Sequence, residues 1–133
     1  MATDLVIELD NTPGALARVA TAISDAGVNL AAATCTGVGD TVELHVLVPH
    51  AEAAKHALSI TNLAVTRERE VVVVEATDRP GELSELAAAI ARAGVNLDLL
   101  YVATRNRVVF GSDDIEGLRA ALASRTKIAG SAR

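Results

Sequence analysis

The feature that most constrains this chain is an internal repeat. Residues 4–30 and 71–97 align without a gap at an offset of 67, and 13 of the 27 positions are identical. The matches include Val6/Val73, Glu8/Glu75, Pro13/Pro80, Gly14/Gly81, Leu16/Leu83 and Ile23/Ile90. The run Ala26–Leu30 is repeated whole as Ala93–Leu97. Self-similarity at a fixed period means one structural unit used more than once. The later halves align more loosely. Leu58 meets Leu122 only if the second copy loses three residues, near Gly37–Asp40 against Thr104–Arg107. That is turn territory, where length changes are tolerated. The boundary falls near Thr66–Glu70, with no Pro-, Gly- or Ser-rich linker. The expected domains are therefore residues 1–67 and 68–133.

Each copy reads as a short α/β module. Leu5–Leu9 and Val71–Ala76 are compact apolar, largely β-branched runs and predict strands. Asn11–Thr12–Pro13–Gly14 and Asp78–Arg79–Pro80–Gly81 then open helices. Asn11 or Thr12 suits an N-cap, and Pro13 the first helical position. The stripes Leu16, Val19, Ala20, Ile23 and Leu83, Leu86, Ala87, Ile90 have helical spacing. Gly27 and Gly94 end these helices.

Val28–Thr36 and Val95–Thr104 predict second strands. Thr41–Val48 predicts a third, with His45 facing solvent. Ala51–Ser59 and Asp113–Ser124 predict further helices, the latter opened by an Asp113/Glu116 capping box. Leu63–Arg67 and Thr126–Ile128 predict closing strands. Arg67–Glu68–Arg69–Glu70 reads as a self-neutralising, solvated segment. The order βαββαβ, twice, defines an α+β fold: two ferredoxin-like modules in tandem, with helices on one face of antiparallel sheets. Apolar residues such as Val71, Val73, Leu100 and Val102 fall on both sheet faces. The second face is therefore expected to lie under the sister copy or another chain.

Composition narrows the function classes. Half the residues are apolar but only 2% are aromatic, so the core must be built from small and medium side chains. The net charge of −5 gives no basic surface for nucleic acid or anionic membrane. The single cysteine, Cys35, cannot form an intrachain disulfide, which suits a reducing compartment. No secretory leader or membrane-spanning run is visible, so the expected location is the cytoplasm. His50 and His56 have the wrong spacing for one helix face, and no metal site is expected. Cys35 sits mid-strand without a base nearby in sequence, so no catalytic residue and no cofactor are expected.

The candidate site is the strand-to-helix loop. The first N–H groups of a helix lack intrahelical partners and carry partial positive charge. Gly14, Ala15 and Leu16, and in the second copy Gly81, Glu82 and Leu83, present such groups to an anion such as a carboxylate. Asn29 and Asn96, after the helix-ending glycine, offer amide donors and acceptors. Either feature alone is also ordinary turn chemistry.

The pattern strand–Asn/Asp–x–Pro–Gly–x–Leu–helix–Gly–Val–Asn–Leu resembles the ACT domain family over nearly the whole chain. ACT domains are regulatory modules of amino-acid metabolism. The resemblance implies a sensor without catalytic activity, binding a small molecule, an amino acid by preference. It further implies a homodimer or higher homo-oligomer and a regulated enzyme or other protein as partner. The alternative is a dimerisation module with no small ligand.

By the resemblance, ligand contacts fall on Asn11, Thr12, Pro13, Gly14, Ala15 and Leu16, with Asn29 and Leu30. In the second copy they fall on Asp78, Arg79, Pro80, Gly81, Glu82 and Leu83, with Asn96 and Leu97. Serine-sensing members carry a His where Leu9 and Ala76 stand here, so serine is not the implied ligand. Asp78 replaces the first Asn; it either holds an ammonium group or is a plain helix N-cap. ACT ligands often sit where two domains meet, so a site is free to combine residues from both copies or both chains.

Overall fold

The computed structural model describes residues 2–123. Ten elements follow in chain order: β1 (Ala2–Asp10), α1 (Ala15–Asp25), β2 (Ala32–Val38), β3 (Thr41–Val48), α2 (Ala51–Ile60), β4 (Val65–Glu75), α3 (Glu82–Arg92), β5 (Leu99–Ala103), β6 (Arg107–Gly111) and α4 (Ile115–Leu122). The chain divides into two compact units at the Arg69/Glu70 junction, apart from the extreme termini. Both are α+β with antiparallel pairing, as the repeat predicts. The expected strand Thr126–Ile128 lies outside the described residues.

In the first unit β3 pairs antiparallel with β1 on one side and β2 on the other. β4 lies beyond β1, and the Thr66 hydroxyl donates to the Val6 carbonyl at 3.3 Å. Leu5, Ile7, Leu9, Leu44, Val46 and Val48 alternate onto one face. There they pack against Val19 and Ile23 of α1 and Ala54 and Leu58 of α2. In the second unit β6 pairs antiparallel with β4 and β5. Val72, Val74, Val108 and Phe110 pack against Leu86 and Ile90 of α3 and Leu118 and Leu122 of α4. Each fully buried Leu, Ile, Val or Phe contributes on the order of 1.5–3 kcal/mol through removal from water. The opposite faces are buried too, at Val6 and Leu47 in the first unit and at Val71, Val73 and Val109 in the second.

Several expectations need correction. The predicted pair of strands Leu63–Arg67 and Val71–Ala76 is one continuous strand, β4. Its Arg67–Glu70 stretch is exposed or half-buried, as expected of a solvated segment, but it is not self-neutralising. Arg67 pairs with Glu43, Glu68 with Lys55 and Glu70 with Arg119, because a strand turns successive side chains to opposite faces. The second strands begin four residues later than predicted. Residues 28–31 and 95–98 form the connection after the helix.

Leu16 and Leu83 are 50% and 43% exposed, and the helical core positions in α1 are Ala15, Val19, Ala22 and Ile23. The cap of α4 is Asp114, not Asp113, and it accepts from the Gly117 N–H at 2.9 Å. His45 is not a solvent-facing side chain. Its Nδ1 lies 2.8 Å from the buried Asp4 carboxylate and its Nε2 3.0 Å from Glu43.

The helix ends behave as read. Gly27 and Gly94 have φ of 74° and 73°, the left-handed conformation that terminates a helix without a Cβ clash. The Val28 N–H returns to the Ile23 carbonyl at 3.2 Å, and Val95 does the same to Ile90. These bonds hold the start of each Val–Asn–Leu segment against the core.

Candidate functional site

The strand-to-helix loops differ from the sequence expectation in one respect shared by both copies. Pro13 and Pro80 are not first helical residues. Gly14 and Gly81 are the N-caps, with φ of 87° and 89° and no side-chain cap. The Ala15 N–H donates to the Thr12 carbonyl at 3.3 Å, and the Glu82 N–H to Arg79 at 3.4 Å. One of the N–H groups expected to face a ligand is therefore spent on closing the turn. A Cβ at Gly14 would meet nothing within 4 Å. The glycine is favoured by its positive φ, not by crowding.

The asparagines are placed apart. The Asn11 N–H donates to the Asp40 carbonyl at 2.8 Å and its Nδ2 to the Gly39 carbonyl at 2.9 Å. Asn11 therefore ties the end of β1 to the β2–β3 turn. Asn29 lies beyond the opposite end of α1, which has 11 residues. At 1.5 Å per residue the two ends are separated by about 16 Å. Within one module the loop and Asn29 do not meet around one small molecule, and Asn96 stands in the same relation to Gly81. Leu30 and Leu97 pack onto the cores. Asp78 makes no side-chain hydrogen bond or ion pair among the described residues and caps no helix.

The two loops are chemically opposite. In the second copy Glu82 folds back to accept the Thr77 N–H, and Arg79 donates to Glu82 at 3.1 Å and Glu85 at 2.7 Å. The hydrogen bond to Glu85, with further attraction from Glu82, raises the Arg79 pKa above its ordinary value. The hollow here measures about 180 Å³ and is lined by Asp78, Arg79, Glu82, Leu83, Val102 and Arg107 among others. Arg107 is buried and held by the Thr104 carbonyl at 2.8 Å; burial, then the neighbouring Arg105, lowers its pKa. The second loop thus supplies its own carboxylate.

At the equivalent positions the first copy has Thr12 for Arg79, Ala15 for Glu82 and Arg18 for Glu85. The helix of the first copy therefore has no carboxylate at the positions from which Glu82 and Glu85 reach Arg79 in the second. A hollow of about 410 Å³ remains, lined by Glu8, Leu9, Asp10, Thr12, Pro13, Gly14, Ala15, Arg18, Asn62 and Leu63. Among the described residues the Arg18 guanidinium has no ion-pair or hydrogen-bond partner. Sequence reasoning missed Arg18, Glu8, Asp10 and Asn62. The exchange of Arg18 for Glu85 across the repeat was the available signal for the first of these. Among the described residues no cluster of His, Cys, Asp or Glu suits a metal ion, and no helix is long and apolar enough to cross a membrane.

The ACT domain family model matches residues 3–62 and 71–125, and the chain belongs to this family. It is similar to the crystal structure of protein BT0572 from Bacteroides thetaiotaomicron, with 24% identity and a TM-score of 0.86. That match covers 96% of this chain and 90% of the other. It is also similar to the ligand-free regulatory subunit of aspartate kinase from Thermus thermophilus, with 19% identity and a TM-score of 0.66 over 93% and 91% of the two chains. The corresponding subunit from Thermus flavus gives 19% identity and 0.59 over 92% and 90%. At these identities the likeness establishes the fold. No curated protein sequence matches the chain.

Proposed function

We propose that the chain is a regulatory protein whose first copy binds a free amino acid at the β1–α1 loop. One observation carries this: an unpartnered Arg18 shares a hollow of about 410 Å³ with Glu8 and Asp10. A cation and carboxylates in one hollow are complementary to a zwitterion. Arg18 takes the carboxylate, in charge-assisted hydrogen bonds, and Glu8 or Asp10 takes the ammonium. The exposed backbone of Thr12–Gly14 admits close approach, and Leu9, Pro13 and Leu63 provide apolar wall. The volume lies in the range of small-molecule clefts.

In this reading Asn11 braces the loop and Asn29 acts elsewhere. The second-copy residues Asp78 to Leu83 form a closed counterpart rather than an equal site. The aspartate kinase subunits lend support as regulatory proteins of the same fold. The output is a change of association with a partner protein, and no catalytic step is assigned to the chain.

A thermal-shift screen of the twenty amino acids, followed by calorimetric titration, tests the proposal. At least one amino acid gives saturable stabilisation, and Arg18→Ala removes it while leaving the unliganded melting temperature in place. Saturable binding raises stability by about 2.7 kcal/mol at a hundredfold excess over Kd. A flat response to all twenty, or a response indifferent to Arg18, sinks the reading.

A further inference from the structure

The outward flank of α1 carries two charges that its own chain leaves unanswered. Among the described residues the Arg18 and Asp25 side chains have no ion-pair or hydrogen-bond partner. Seven residues of helix put them on one face about 10 Å apart, too far to pair with each other. Both line a groove of about 350 Å³ between α1 and the end of α2. Ala17, Thr21 and Ala22 line it too, so the surface between the charges is made of short side chains. The groove runs on into a hollow of about 480 Å³ lined by Ala22, Ala26, Ala53 and Ala57, beside Ile60, which is 67% exposed. Short side chains let another helix come close, and an isoleucine exposed among alanines is apolar surface open to a partner.

The order of the charges says which partner. A second copy of α1, laid antiparallel across this face, sets Arg18 opposite the partner's Asp25 and Asp25 opposite the partner's Arg18. The same register sets Thr21 opposite the partner's Ala22 and Ala17 opposite the partner's Ala26. Such reciprocal contacts are what a two-fold axis requires. A parallel copy would set arginine on arginine. The equivalent helix of the second copy does not offer the same surface. It carries Glu85 and Arg92 at these positions, and Glu85 is already held by Arg79 at 2.7 Å. Exposed ion pairs stabilise little. Here they fix partner and register, while burial of Ile60 and the alanines drives association.

We infer that the chain forms a two-fold homodimer through its α1–α2 face, with α1 antiparallel to the partner's α1 and two Arg18–Asp25 ion pairs across it. Arg18 also lines the hollow at the β1–α1 loop. On the reading proposed above, a ligand carboxylate and the partner's Asp25 therefore compete for one guanidinium.

The test is sedimentation velocity over a micromolar-to-millimolar concentration series, run without amino acids so that its result does not depend on the loop reading. The wild type associates. Arg18→Asp and Asp25→Arg each place like charges at both contacts and weaken association about tenfold or more, with unchanged circular dichroism spectra. Mixing these two variants restores it, because each contact in the heterodimer is again between opposite charges. Ile60→Lys weakens association as well. A wild type that stays monomeric at millimolar concentration overturns the inference. So does association indifferent to all three substitutions, as pairing through a strand edge would be, or a mixture that gains nothing over its components.

Discussion

The Nδ1 of His45 lies 2.8 Å from the carboxylate of Asp4, and that carboxylate is fully buried. The pair joins β1 to β3 on the sheet face opposite α1 and α2. A buried carboxylate that loses a hydrogen-bonding partner keeps its desolvation cost without the compensation. His45→Ala should therefore destabilise the protein by about 2 kcal/mol, and His45→Gln by less. Urea unfolding monitored by circular dichroism measures both. Equal, negligible costs would show that the pair is not coupled.

Glu43 gives the same cluster an acid sensitivity. Its hydrogen bond to His45, with further attraction from Arg67, holds its carboxyl below the usual range. A group whose folded pKa is depressed adds stability above its unfolded pKa, near 4.3, and loses it as pH falls through the folded value. Glu43→Gln should lower stability at neutral pH and flatten the stability–pH curve on the acid side of that value. Glu43 is about half exposed, so solvent screening keeps the effect small, at a few tenths of a kcal/mol. A curve of unchanged slope between pH 5 and pH 3 would contradict the assignment.

Core and surface aliphatic residues on the first helix can be separated by truncation. Ile23 is fully buried, whereas Leu16 is half exposed. Ile23→Ala should cost about 2–5 kcal/mol and Leu16→Ala under about 1 kcal/mol. Thermal and chemical unfolding of the two variants decide the matter, and comparable losses would return Leu16 to the core.

Gly117 reverses a general rule. Gly to Ala inside a helix ordinarily gains about 1 kcal/mol. Here a Cβ at Gly117 would overlap the carboxylate of Asp114, which caps α4 through the Gly117 N–H. Loss of that cap costs about 1 kcal/mol, so Gly117→Ala should be close to neutral. In an Asp114→Ala background, where nothing remains to displace, the same change should show its full gain. A double-mutant cycle with no coupling between the two sites would remove this account.

Local signals carried much of the fold. Thr41–Val48 was bounded correctly because alternation and a turn defined it, and Gly27 and Gly94 marked helix ends through their left-handed backbone. What failed needed distant partners. Arg67 to Glu70 look self-contained in sequence, yet their counter-ions Glu43, Lys55 and Arg119 come from other elements. Asp4 and His45 are 41 residues apart, and nothing local to either announces the pair. The candidate loop was found by its Pro–Gly motif. Its asymmetry rests on which side chains fold back, a matter of three-dimensional reach between Arg79, Glu82 and Glu85.

That asymmetry sets a threshold. Glu82 is tethered beside the loop it closes, so its carboxylate acts at an effective concentration on the order of millimolar or above. A free anion must outcompete that local supply before it can enter. Glu82→Ala would then lower an existing barrier, and the same ligand should occupy the second loop at concentrations the wild type ignores. In the proposed reading the repeat contains two doors of one design, one left open and one held shut from inside by the chain itself.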